Sequence, residues 1–394
     1  MIFVIKGILS YFFLYFCYTQ EVTMEYNLEN AVKYHYDKFP PTGIDFSAFI
    51  QELIGATEAL ARFDQMLKNL HNTEILLAPL RNQEAVISSR IEGTISTMDE
   101  ILQYEADHDG VEDVSVRSDV VETILYQRAL KNAQSALEDG YPFSINFVKQ
   151  MHQQLLFIGR GAKKYPGEFK QEQNFLADKM KKEILFIPIS PEKLIDGLEL
   201  LFQYLEESDL PALIKTAIMH LEFEALHPFQ DGNGRIGRML ITLNLWKEGL
   251  LSQPHFYISG YFEEHKEEYI QHMRNVSVSN DWNEWIKFFL IAVENQAIRN
   301  LEIAESIKNL YEQTKAEFSE LLASKWNLEI LDYIFTNPIF RNNKFVRSTG
   351  IPNATAVPII KKLVEAEYLV VREESSGRRA ALYAFEPMMK LVRV

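Results

Sequence analysis

Twelve residues, His227-Pro228-Phe229-Gln230-Asp231-Gly232-Asn233-Gly234-Arg235-Ile236-Gly237-Arg238, put a base, an acid and two guanidiniums around a glycine-rich turn. Gly232 and Gly234 bracket Asn233 just ahead of an apolar-periodic run (Ile236, Met239, Leu240, Leu243, Leu245), so the turn opens a helix. Glycines let a backbone come close to a ligand, and the N–H groups at a helix start bind anions such as phosphate. Arg235 and Arg238 lie one turn apart and project from one face of that first turn, a pair suited to more than one phosphate. Asp231 would repel a polyphosphate unless a hard cation bridges them, and magnesium (Mg2+) is the natural candidate. His227 is the group of this segment able to accept a proton near neutral pH. A Gly-x-Gly turn alone is more often structural. The whole string at fixed spacing points to phosphate chemistry.

Helices must position that turn. Residues 38–43 (Lys38-Phe39-Pro40-Pro41-Thr42-Gly43) cannot be helical and form an extended lead-in. From Phe46 onward Phe49, Ile50, Leu53, Ile54, Leu60, Phe63, Leu67 and Leu70 recur at helical spacing. A second helix is predicted from Pro79, a residue suited to a first turn, to Gly93, suited to a left-handed cap. Thr97-Met98-Asp99-Glu100 has the form of a capping box opening a third. Further helices are expected over 118–138, 145–157, 191–206, 211–226, 234–248 and 281–322. Strand signals are scarce between 30 and 320, except between Asn174 and Pro188, where two apolar runs flank a polar turn as in a hairpin. His220 and His152 fall on apolar-faced helices and are expected as packed core residues. After Lys325 two short helices (328–336 and 343–349) precede Asn353, a good N-cap, and a third helix to about Glu367. Strand-like runs at 368–372 and 380–385 then surround Ser375-Ser376-Gly377. Three helices and a hairpin is the order of a winged helix-turn-helix.

A chain of 394 residues suits two or three domains, and 47% hydrophobic with 24% charged residues is ordinary for a globular protein. The net charge of −15 argues against a nucleic-acid binder as a whole. The charge is uneven: residues 325–394 hold 11 Lys and Arg against 7 Asp and Glu, a local +4, leaving −19 for residues 1–324. Lys361, Lys362, Arg378 and Arg379 could therefore meet DNA phosphates. Pro358 in the third tail helix and Glu373-Glu374 on the wing weaken that reading, so a protein contact or a homodimer stands level with DNA. A single cysteine, Cys17, excludes an intramolecular disulfide and a multi-cysteine metal site. The apolar run 7–18 behind Lys6 is too short for a comfortable membrane span and has no small-x-small cleavage site after it. Residues 1–23 are taken as an upstream extension, in preference to an export signal or an anchor, with soluble character beginning at Met24.

The 227–238 string resembles the signature of the Fic (filamentation-induced) family, His-Pro-Phe-x-(Asp/Glu)-Gly-Asn-Gly-Arg-x-x-Arg, at every specified position. The resemblance continues in Tyr165-Pro166-Gly167-Glu168-Phe169 and Gln173-Asn174, similar to the lead into the family's flap hairpin, and in the run 281–290. It covers roughly residues 35–300. Lys170 departs from the arginine frequent in that lead-in but keeps the charge. Ser88-Ser89-Arg90-Ile91-Glu92-Gly93 resembles the family's inhibitory helix, (Ser/Thr)-x-x-x-Glu-(Gly/Asn). The fold implied is mainly α: a Fic-type helical bundle with a small β-hairpin flap, followed by the winged helix-turn-helix. Its divisions would be an apolar extension (1–23), a helical region with the inhibitory helix (24–110), a catalytic core (111–324) and the tail (325–394).

The resemblance implies transfer of AMP from ATP to a Tyr, Ser or Thr hydroxyl of a protein. His227 would take the hydroxyl proton and Asp231 would hold Mg2+ on the α and β phosphates. Asn233 with the amides of Gly232 and Gly234 would orient the α-phosphate; Arg235 and Arg238 would hold the β and γ phosphates; Ile236 and Gly237 complete the ATP-binding segment. Tyr269 lies where relatives place a residue near the adenine. The target would add as a strand to the flap between Asn174 and Pro188. Ser88 and Glu92 would inhibit. ATP as substrate places the reaction in the cytoplasm. Two other functions stay open: transfer of another group such as phosphate or phosphocholine on the same fold, and a DNA-binding regulator with a Fic core as sensor.

Overall fold

The structure, a computed structural model, describes residues 26–68, 72–108, 117–178 and 182–394. The extension expected at 1–23, the expected domain boundary at 111 and Leu70 lie outside the described residues. The chain is mainly helical. Helix α1 (Ile50–Lys68) is followed by α2 (Glu74–Ile91), α3 (Met98–Asp107), α4 (Ser118–Glu138) and α5 (Ile145–Leu155). A two-residue strand β1 (Val32–Lys33) precedes them, and the hairpin β2 (Leu176–Asp178) and β3 (Glu183–Ile187) follows. Then come α6 (Leu194–Glu207), α7 (Ala212–Leu226), α8 (Asn233–Lys247), α9 (Ser259–Glu264), α10 (Lys266–Ser279) and the long α11 (Trp282–Leu322).

The two central helices hold the site. In α7 every residue from Leu213 to Leu226 is buried, and so is every residue of α8 from Asn233 to Leu245. A helix buried on all faces must be surrounded by other elements. Trp285 of α11, itself fully buried, donates its indole N–H to the Ala217 carbonyl of α7 at 2.8 Å. The loop joining two such helices has little freedom, which is what a catalytic segment requires.

The hairpin forms where expected and gains a third strand. β1 pairs parallel with β3, giving the order β1-β3-β2 and leaving β2 at the edge. Next to β1, Tyr34 and His35 bond to the two carboxylate oxygens of Glu222 on α7, at 2.6 and 2.8 Å. The flap is thereby tied to the central helix. Two residues are too few to show a period of two, so β1 left no signal in the sequence.

Local rules fix most helix ends. Thr97 and Glu100 form the full capping box at the start of α3. Gly93 follows α2 with φ +91, and the N–H groups of Gly93 and Thr94 return to the carbonyls of Arg90 and Ser89, a Schellman ending. Two expectations are corrected. Helix α2 begins at Glu74 and carries Pro79 inside it, because Ile75, Leu76 and Leu77 gain burial that outweighs one lost backbone bond. Asn353 is the first helical residue rather than the cap, since Pro352 already holds the extended geometry before it.

After α11 comes a smaller unit: α12 (Asn327–Thr336), β4 (Ile339–Arg341), α13 (Asn342–Thr349), α14 (Asn353–Glu365), β5 (Leu369–Glu373), β6 (Leu382–Phe385) and α15 (Glu386–Val392). Its sheet runs β4-β6-β5, so a third strand joins the expected hairpin. This unit is fastened to α2 and α3. Arg341 contacts Asp107 of α3 and Glu373, each at 2.6 Å; Arg379 reaches Asp107 at 3.1 Å; Arg393 grips Asp99 at 2.8 and 3.1 Å. Gln83 of α2 donates to the Val392 carbonyl at 3.0 Å. Among the described residues no helix is long and apolar enough to cross a membrane.

Candidate active site

His227 caps α7 in the left-handed conformation, φ +46, which turns the chain sharply out of the helix. Its Nδ1 lies 3.2 Å from the Glu224 carbonyl. A carbonyl only accepts, so Nδ1 carries the proton and Nε2 carries the lone pair. Burial pushes the His227 pKa down to about 3, and the charge of Lys170 adds to that. The ring is therefore neutral through the physiological range and able to accept a proton.

Gly232 enters α8 with φ +80, a conformation side chains resist. At Gly234 an added Cβ would lie 2.2 Å from the Glu92 carboxylate and 2.9 Å from the Arg238 guanidinium, so a side chain there would displace the ends of both. His227, Asp231, Gly232, Asn233, Gly234, Arg235 and Arg238 line one cavity together with Glu92 and Tyr269. Its apolar part is formed by Leu176, Leu185 and Phe186 of the flap facing Leu221, Ile270 and Met273. Ile236 and Gly237 of the expected ATP-binding segment are not among the residues that line the cavity. The helical turn points Ile236 into the core, fully buried, and sets Gly237 against Glu224 and His220.

The amide of Asn233 is used within the loop: Oδ1 accepts the Phe229 N–H and Nδ2 donates to the Phe229 carbonyl, both at 2.8 Å. Arg235 reaches Glu122 at 3.5 Å and Asp231 at 3.3 Å. Arg238, 2% exposed, donates from Nε to Ser88 Oγ at 2.8 Å, and from one terminal nitrogen to the Ser88 carbonyl at 2.9 Å and Glu92 Oε1 at 2.7 Å. Burial acts to raise the Glu92 pKa, but the Arg238 charge and hydrogen bond, with Arg235 and Lys266, outweigh it and hold it below the usual range. The two ends of the Ser88-x-x-x-Glu92 pattern thus meet the second arginine of the motif. Lys266 fixes the end of α2 by donating to the Ile91 carbonyl at 2.8 Å.

Tyr269 is buried and shares a 2.8 Å hydrogen bond with His220. Glu224 is pushed up to about 8 by burial, with Glu92 adding and Arg238 opposing, so it is neutral at pH 7. His152 is buried as expected, yet it is not mere packing. Its ring stacks on Phe229 with centroids 3.7 Å apart, Nδ1 accepts the Gly167 N–H at 2.8 Å, and Nε2 donates to the Asp231 carbonyl at 2.9 Å. Its only sequence signal was position on an apolar helix, which packing alone would also give.

Among the described residues no group of three or more His, Cys, Asp or Glu is placed to hold a metal. Asp231 supplies one carboxylate at the cavity mouth, its side chain 35% exposed. That donor set fits magnesium, which takes one or two protein carboxylates and completes its shell with phosphate oxygens and water.

The N-terminal model of the Fic/DOC family matches residues 50–135, and the Fic/DOC family model itself matches residues 142–245. The chain is a Fic family protein. Over 115 residues it is 26% identical to the protein adenylyltransferase fic-1 of Caenorhabditis briggsae, a stretch covering 28% of this chain and 21% of that protein. The matched part thus spans about a fifth of the relative's length. Among solved structures it resembles a Fic family protein of Desulfovibrio desulfuricans, with TM-score 0.54 and 18% identity, over 88% of this chain and 98% of that one. A Fic domain containing signaling protein of Bacteroides thetaiotaomicron gives TM-score 0.53 and 18% identity, covering 65% and 97%. At these identities the two structures share the Fic fold with this chain.

Proposed function

We propose that this Fic protein transfers AMP from ATP to a hydroxyl of a protein. The observation that carries the reading is one cavity lined by a neutral histidine, a carboxylate at its mouth, a glycine-opened helix start and two arginines. The target hydroxyl attacks the α-phosphorus as His227 Nε2 takes its proton; the bond from the α-phosphorus to the bridging oxygen breaks and pyrophosphate leaves. The amides of Gly232 and Gly234 face the α-phosphate, and Arg235 and Arg238 face the β and γ phosphates. Asp231 would hold magnesium, which would neutralise charge developing on the leaving phosphates. The outer side of β2, at the edge of the sheet, would receive the target as an added strand.

Glu92 occupies Arg238 where the γ-phosphate belongs, so this reading makes the resting protein silent. The tail serves a protein contact better than DNA, because Arg341, Arg379 and Arg393 already face acids of α3. Incubating a Glu92→Gly variant with ATP and weighing the products by mass spectrometry tests the reaction. Addition of an AMP mass supports it. Addition of a phosphoryl mass, or of a phosphocholine mass when a nucleotide-linked phosphocholine donor replaces ATP, supports the alternative transfer instead.

A further inference from the structure

Between α7 and α8 the chain passes four consecutive carbonyls, Leu226 to Phe229, that no helix can satisfy. One short segment ahead of the flap reaches all four, sharing the Phe229 carbonyl with the Asn233 side chain. Lys170 Nζ donates to the Leu226 carbonyl at 3.0 Å, and Lys170 N–H donates to the Pro228 carbonyl at 2.9 Å. Asn174 Nδ2 donates to the carbonyls of His227 and Phe229, each at 3.0 Å. The two side chains are joined to each other, Lys170 Nζ to Asn174 Oδ1 at 2.9 Å. Both residues are 3% exposed.

We propose that Lys170 and Asn174 are positioning residues for the reaction, holding the carbonyls of the catalytic loop away from the cavity and setting the place of His227. This rests on the AMP-transfer reading above. A neutral side chain could tie down carbonyls at smaller cost, since an ammonium is expensive to bury. The charge has a use here because it stands beside His227. The imidazole feels the charges of Lys170 from the flap lead-in and Glu92 at the end of α2, meets the Glu224 backbone carbonyl on α7, and shares the cavity with Asp231 and Arg235. Lys170 opposes a second charge on the ring, while Glu92 favours it. Neither Lys170 nor Asn174 touches the start of α8 or its arginines in any of these bonds, so ATP should bind without them.

The test uses the full chain carrying Glu92→Gly as parent, so that transfer is visible. Lys170→Met, Lys170→Arg and Asn174→Asp are added singly. Asn174→Asp keeps the size and an acceptor for Lys170 but sets oxygens against two carbonyls. Rates of AMP transfer, ATP affinity by calorimetry and melting temperature are measured for each. In Lys170→Met and Asn174→Asp the kcat should fall about 10- to 100-fold, the cost of a small misplacement. The ATP Kd should stay within about threefold, and Lys170→Arg should recover most of the rate. NMR of the His227 ring gives a readout that needs no turnover: it should titrate at higher pH in Lys170→Met than in the parent. A parent that transfers no AMP while that titration shift is present would fault the reaction, not the positioning. Unchanged kcat in both variants, or ATP affinity lost in step with kcat and not rescued by Lys170→Arg, would overturn the proposal. Unfolding of Lys170→Met with full activity in Asn174→Asp would overturn it too, leaving a structural tie.

Discussion

Replacing Glu92 with glycine removes a carboxylate 2.7 Å from a guanidinium that is 2% exposed, while leaving that guanidinium two bonds to Ser88. Glu92 sits at φ −85, ψ 3, a backbone conformation open to any residue, so glycine adds no strain there. A hydrogen bond to a charged group is worth about 1.5–3 kcal/mol, and the carboxylate is 23% exposed, so the lower half of that range applies. At about 1.4 kcal/mol per factor of ten, relief of the competition with the γ-phosphate should raise AMP transfer about 10- to 40-fold. The empty variant should melt below wild type, because Arg238 loses its counter-charge, and ATP should restore more melting temperature to it than to wild type. Auto-modification with labelled ATP, at matched protein concentration, measures the rate. Glu92→Asp, one methylene shorter, should be only partly released. Arg238→Ala should be inactive with or without Glu92, since it removes the productive contact as well. A Glu92→Gly variant no faster than wild type would refute the reasoning and reduce Ser88 and Glu92 to a structural contact with Arg238.

His227→Ala should lose about 10²–10⁴-fold in rate with ATP affinity nearly intact, checked by single-turnover kinetics and calorimetry; equal turnover would remove the base from His227. Excess chelator should stop transfer, and Asp231→Ala should raise the magnesium needed for half-maximal rate; unaltered turnover in either case would sink the metal assignment. Glu224 has a folded pKa raised to about 8 from 4.5, so the folded state holds a proton the unfolded chain has lost; stability should fall as pH rises from about 4.5 to 8 and then level. Glu224→Gln cannot ionise, and its melting temperature should gain on wild type between pH 5 and pH 8; parallel curves would refute the raised pKa. Arg341→Ala leaves Asp107 and Glu373 to share the more exposed Arg379, so we expect about 2 kcal/mol of destabilisation, with hydrogen exchange quickening in α3.

What could be seen in the sequence followed local chemistry. The capping box at Thr97, the left-handed glycine after α2 and the apolar runs of α4 and α11 set those boundaries without help from the fold. The site was legible because its groups are contiguous: one loop and one helix turn carry His227, Asp231 and both arginines. Glu92 was legible only through the spacing of a short motif, as its meeting with Arg238 spans 146 residues of chain. The unseen parts depend on tertiary contact. Pro79 sits inside a helix because its neighbours are buried, which a rule about first turns cannot anticipate. Helix α10 buries only Tyr269, Val276 and Ser277, too few to mark a period. His152, Lys170 and Asn174 act on backbone carbonyls, which have no residue type to match.

The same contacts constrain how Glu92 can leave Arg238. Helix α2 has 14 of its 18 residues buried, so departure of the whole helix would expose a large part of the core. It is pinned along its length: Asn82 accepts from Gln127 at 2.7 Å, Gln83 reaches Val392 of the tail, and Glu84 accepts from Tyr126 at 2.9 Å and bonds Ser259 at 2.5 Å. Glu84, Ser88 and Glu92 follow at intervals of four, so the helix face that is anchored in the core is the face that delivers the carboxylate. Only the last turn differs, where the carboxylate is partly exposed and the chain turns at Gly93. In the proposed reading release is therefore a matter of the Glu92 side chain and that turn, which Lys266 holds at the Ile91 carbonyl and α4 holds through Asp119 at the Ile95 N–H and Thr123 at the Ser96 hydroxyl. Residues 93–97 join that turn to α3, which Arg341 and Arg393 of the tail grip at Asp107 and Asp99, so in the proposed reading loosening the tail would bear on the Glu92 end of α2 through this link and through the packing of Val86 on Ile101 and Tyr104.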